Sequence, residues 1–146
     1  PRCNSVSRQQ LSLSLDRWPI PLDNGHYERA AAHRQAFEQR CLGGKVCIVL
    51  WVLEVAPDIY IQACDVVLGE LRRETPLRLT RGNRHDNPEE ALRAAAWKAT
   101  KELKANRRAS GLYPANQSTL LRAANWLDDV LRQCDHLLER QVKLFG

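Results

Sequence analysis

The sequence predicts an α+β domain in the order βαβββα, an antiparallel sheet of three to four strands with two helices on one face, followed by a long C-terminal helix. Three observations predict it. Residues 46–55, VCIVLWVLEV, are a nearly unbroken run of β-branched and large apolar side chains, the mark of a central strand covered on both faces. The stretch Asn83 to Arg108 has a capping start, a face of small apolar residues and a basic finish. Beyond it, Leu120, Ala124, Leu127, Leu131, Cys134 and Leu138 follow steps of four and three residues, with Phe145 a full seven further on, the pattern of a heptad seam.

Taken in order, residues 1–10 are polar and are expected to be loose. Leu11, Leu13 and Leu15 alternate with Ser12, Ser14 and Asp16, which reads as a first strand ended by Pro19 and Pro21. Asp23, Asn24 and Gly25 make a turn, and His26 to Leu42 reads as a helix with Tyr27, Ala30, Ala31, Phe37 and Cys41 on a thin apolar side, stopped by Gly43 and Gly44. After the central strand, Ile59 to Gly69 reads as a further strand with an irregularity near Cys64. Residues 69–76 read as a charged hairpin, and Leu77 and Leu79 alternate with Arg78 and Thr80 as the last strand.

In the following helix Asn87 caps, Pro88 suits the first turn and Glu90 returns a capping-box bond. Ala91, Leu92, Ala95, Ala96, Ala99 and Leu103 recur at helical spacing, and such small side chains favour close packing on a sheet. Residues 109–116 connect this domain, 11–108, to the amphipathic helix 117–146, for which Ser118 or Thr119 is the expected cap. The seam of that helix needs a cover. Folding back on its own domain is the plainer outcome; the alternative is a partner helix or a second copy of the chain meeting Leu120, Leu127, Leu131 and Leu138.

The 146 residues suffice for one domain with a real core. With 22 Lys and Arg against 17 Asp and Glu, the net charge of +5 mildly favours anionic partners. No apolar run approaches the roughly 20 residues that span a bilayer, so no membrane partner is expected; a cytoplasmic protein is expected, or one of an organelle matrix if a leader has been removed. Cys3, Cys41, Cys47, Cys64 and Cys134 are scattered without a C-x-x-C pair, which favours buried thiols over a metal site. Neither a metal nor a cofactor is expected.

The basic residues gather in two stretches. Arg72, Arg73, Arg78, Arg81 and Arg84 precede the helix, and Lys98, Lys101, Lys104, Arg107 and Arg108 occupy its later part. Acids at the start and bases at the end complement the helix dipole, but the density and its continuation past the helix also suit a ridge that meets phosphates. The competing reading of the hairpin is a solvated turn in which Arg72 and Arg73 pair with Glu70 and Glu74. His85 and Asp86, close to Asn83 and before a helix start, are the one polar cluster with the makings of a base and its orienting carboxylate. No phosphate loop, dinucleotide fingerprint or nucleophile elbow is present, so a non-enzymatic protein is expected.

The order βαβββα, the hydrophobic second strand and a last helix with a basic end over Leu11 to Arg108 resemble ribosome hibernation factors of the Hpf and RaiA type. That resemblance implies a non-enzymatic protein that lays basic helices on ribosomal RNA. Residues Ala36 to Leu103 also resemble double-stranded-RNA-binding domains, whose last helix carries the consecutive alanines found here at Ala91, Ala94, Ala95, Ala96 and Ala99. The chain departs from that family at Pro88, Glu89 and Leu92, where phosphate-binding lysines are usual, and keeps only Arg93. The expected function is binding of structured RNA or a ribosomal subunit through phosphates, within a ribonucleoprotein; the alternatives are an assembly or adaptor subunit, oligomeric through its terminal helix, and a DNA-binding accessory protein.

Overall fold

The computed structural model describes residues 18–108 and 111–145. The apolar run 46–55 forms most of β2 (Gly44–Ala56), flanked by β1 (His33–Cys41) and β3 (Ile59–Leu68), with β4 (Leu71–Glu74) beyond β3. All neighbours are antiparallel and in chain order, so each strand is joined to the next by a tight turn. The sheet is followed by α1 (Pro88–Asn106) and α2 (Gln117–Phe145). Among the described residues no helix is long and apolar enough to cross a membrane.

The helix expected over His26 to Leu42 is not formed. Residues 33–41 are strand β1, paired with β2 from Cys41↔Gly44 to His33↔Val52, and only Arg29–Ala31 make a single 3-10 turn. Phe37 and Cys41 are four residues apart and fit either period, whereas Arg34, Glu38 and Arg40 alternate outward from them at period two. Pairing along the whole length of a strongly apolar neighbour outweighs a thin helical stripe. Gly43 and Gly44, read as a helix stop, are the β1–β2 turn, with φ of 85° and 147°. A Cβ on Gly44 would lie 3.1 Å from the Cα of Gly69, so the two hairpin turns touch there. The described order is therefore ββββαα, and the helices sharing one sheet face are α1 and α2. The strand expected at Leu11–Leu15 lies outside the described residues.

Two smaller corrections concern strands. β4 is Leu71–Glu74, inside the stretch read as a hairpin turn, while Leu77–Thr80 make only the isolated bridges His26↔Arg78 and Thr80↔Asn83. The ladder irregularity lies between Glu54 and Ala56 of β2 rather than near Cys64.

One face of the sheet presents Val46, Ile48, Leu50, Cys64, Val66 and Leu68, and both helices cover it. From α1 come Ala95, Ala96, Ala99 and Leu103; α2 supplies Leu120, Ala123, Leu127, Val130 and Cys134. The seam of α2 therefore packs in cis: Leu120 and Leu127 are core, and Leu131 packs half-buried against the same cluster. Buried in this way, Leu120 and Leu127 cannot serve a partner helix, and Leu138 is half-buried beyond them. Asn116 fastens α2 to the sheet by donating to Leu42 O at 2.7 Å and accepting from Leu42 N–H at 3.0 Å. The Thr119 hydroxyl, an expected cap, accepts from Gln39 of β1 instead.

The opposite face is covered at one end by Tyr27 and Ala32, from the segment before β1, and by the loop 75–87, where Leu53, Val55, Ile61, Ala63 and Leu77 are buried. Asp65 organises this side. Its carboxylate accepts from Arg29 Nε at 3.0 Å and Nη2 at 2.7 Å and from the Trp51 indole N–H at 2.8 Å, while Arg29 also donates to Thr75 O.

Two buried features carry predictions of their own. Gln62 is 1% exposed on the helix-covered face, and both polar atoms of its side chain lack a partner among the described residues. An orphaned amide costs its desolvation without return, so Gln62→Met, close in shape, is expected to stabilise by about 1–2 kcal/mol in urea unfolding. A loss of stability would show that the amide is satisfied in solution. Burial pushes the thiols of Cys64 and Cys134 up to about 11, which leaves on the order of one thiolate in a thousand at about pH 8. Iodoacetamide is therefore expected to label half-buried Cys41 and to spare these two, as peptide mass spectrometry reads; equal labelling would contradict that burial.

Candidate nucleic-acid interface

The capping signals place α1. Asn87 Oδ1 accepts from Glu90 N–H at 2.8 Å, and the Asn87 side-chain amide donates to the Glu90 carboxylate at 3.0 Å, so the return bond goes to the cap's side chain. With Ala91, Ala95, Ala99 and Leu103 buried at steps of four residues, the opposite face has to be solvent. Trp97, Lys101, Lys104 and Arg108 lie there at steps of four, three and four residues, all exposed, with Lys98 beside them.

Lys98, Lys101 and Lys104 make no ion pair among the described residues. Only Lys104 stands in the last turn of the helix, so the dipole accounts for one lysine of the three, the effect fading within a turn of the end. Arg108 lies over the ring of Tyr113, 5.0 Å from its centre. Arg107 is turned toward α2, where it lines a cleft of about 140 Å³ with Lys104 and Leu121.

The hairpin arginines divide between the two faces. Arg73 lies opposite Val66, on the helix side, and its guanidinium is 4.0 Å from Glu102 of α1. Arg72 lies opposite Val67, on the other side, and pairs with Glu74 at 3.1 Å. Arg78 bridges His26 beside Gly25 and also belongs to that other side. Arg81 and Arg84 are exposed on the loop leading to α1, and Arg84 precedes His85, whose ring feels the charge of Lys98. The fold thus gathers Lys98, Lys101, Lys104 and Arg108 on one ridge, brings Arg73 toward it, and carries Arg72 and Arg78 away.

Trp97 is 52% exposed in the middle of the ridge. Its position four residues from both Arg93 and Lys101, out of phase with the alanine stripe, is the signal that places it there. Arg93 itself is engaged by Asp135 of α2 at 2.6 Å.

The residues singled out for acid–base chemistry take structural posts. The Asn83 side chain accepts from Gln62 N–H at 3.0 Å and donates to Gln62 O at 2.8 Å and to Arg78 O at 2.9 Å, standing in for a strand beside β3. His85 exchanges backbone bonds with Tyr60, and burial lowers its imidazole below the usual range. No hydrogen bond joins His85 to Asp86 among the described residues, and the buried Nε2 has no partner there.

Comparison of the chain with protein-family models, with curated proteins and with solved structures found no match.

Proposed function

We propose that the protein binds structured RNA, free or within a ribosomal subunit, by laying the exposed ridge of α1 along a phosphate backbone. The observation that carries this reading is the row of Lys98, Lys101 and Lys104, exposed and unpaired among the described residues, continued by Arg108. From Lys98 to Arg108 the ridge is about 15 Å long at the helical rise per residue, and duplexes carry one phosphate charge per roughly 1.7 Å of axis, so several contacts can form together. Arg73 at the border widens the positive strip, and phosphate contact of this kind sets position rather than sequence preference. Trp97 adds a face on which a base can stack at an end, loop or bulge. What persists of the family resemblances is an antiparallel run of consecutive strands followed by a helix with a basic end.

Titration of the purified chain with labelled hairpin RNA, single-stranded RNA and duplex DNA tests the proposal. Tightest binding to the hairpin supports it; preference for duplex DNA would transfer the ridge to a DNA-binding role.

A further inference from the structure

A cavity of about 720 Å³ opens at the end of the sheet where β1 begins, β2 ends and α1 starts. Its volume suits one small organic molecule. Much of the wall is apolar or aromatic: Val52 from β2, Tyr60 from β3, Leu92 from α1, Leu137 from α2, and Trp18 from the segment before β1. Two carboxylates stand in this wall, Glu54 at the end of β2 and Glu89 in the first turn of α1.

Neither carboxylate is ion-paired among the described residues. Glu54 accepts from the neutral Asp58 N–H at 3.2 Å, and its charge is felt by the Tyr60 hydroxyl. Glu89 accepts from the Gln141 amide at 3.0 Å. The positive end of α1 is met by Asn87 and Glu90, so it offers little attraction to an anion. Among the lining residues His33 alone could carry a positive charge. Glu54 and Glu89 have no ion pair among the described residues, so a cation held between them gains the attraction of both beside a partly apolar wall, and the ring of Tyr60 offers a face that attracts cations.

We infer that this cavity binds a small amphipathic organic cation, an amine or quaternary ammonium carrying an apolar body, with the charge between Glu54 and Glu89 and the body against Val52, Leu92 and Leu137. The site lies apart from the α1 ridge and shares no residue with it, so it stands whatever the fate of the RNA reading.

The test uses three probes with one aromatic body: 1-naphthylmethylammonium, 1-naphthylmethanol and 1-naphthoate, titrated calorimetrically into the full chain. The ammonium is expected to bind one per chain, about tenfold or more tighter than the alcohol, with the naphthoate weakest. In Glu54→Gln with Glu89→Gln the ammonium is expected to fall to the level of the alcohol while the alcohol is unchanged, which also shows that the cavity keeps its shape. Leu92→Trp, which fills the cavity, is expected to remove both. Absence of ammonium binding at millimolar concentration, naphthoate binding as tight as ammonium, or an ammonium affinity untouched by the double Gln variant would each overturn the inference.

Discussion

Replacing Lys101, Lys104 and Arg108 together by Glu is expected to lower the affinity for structured RNA by about 10²–10³-fold at roughly 0.1 M salt. Each phosphate contact contributes close to one unit of log–log salt dependence, so three lost contacts account for a fall of that size before any repulsion from the new carboxylates is added. The slope against salt is expected to shrink by about two to three. All three side chains are exposed, and surface changes of this kind leave stability nearly unchanged, so circular dichroism and melting should match the parent. Affinity retained in a folded triple variant would remove the ridge from the site.

Asp65→Ala is expected to cost about 3 kcal/mol of stability, measured by urea unfolding with an unchanged slope. Asp65 is the common acceptor for Arg29 and Trp51, and its side chain is 14% exposed against 29% for Arg29. Its loss strands a half-buried guanidinium and an indole N–H together. The ring of Trp51 lies 5.9 Å from Arg29 and 6.0 Å from Arg34, so the loosened cation also disturbs the packing on that face. Asp65→Asn keeps an acceptor for the indole and should lose less. A cost below about 1 kcal/mol for the alanine would mean that the cluster is solvated and does not hold residues 18–32 to the sheet.

The parts of this fold that were legible in the sequence are those in which one signal had no rival. Residues 46–55 are too apolar and too β-branched for anything but a central strand, and Asn87, Pro88 and Glu90 start α1 where expected. His33–Cys41 misled because Phe37 and Cys41 satisfy both helical and strand spacing, and the deciding factor is a partner strand that begins three residues later. β4 was obscured by its charge: an edge strand with Leu71, Arg72, Arg73 and Glu74 reads as a turn when judged by polarity, since edge strands tolerate charge. Of the ridge, the lysines could be placed by helical phase alone, because all sit on one element. The hairpin arginines could not, since a shift of one strand residue sends a side chain to the other face, and Arg72 and Arg73 are separated in that way. The cavity was invisible because His33, Glu54, Glu89 and Leu137 come from four elements whose meeting depends on the whole topology.

The measurement that bears most directly on the central claim is the affinity of the purified chain for labelled hairpin RNA, single-stranded RNA and duplex DNA across a salt series. The expected result is tightest binding to the hairpin RNA, with log affinity falling against log salt at a slope of about −3 to −5, as four or five phosphate contacts require. Failure of all three nucleic acids to bind at low salt would contradict the claim and leave Lys98, Lys101, Lys104 and Arg108 as a solvated helix face.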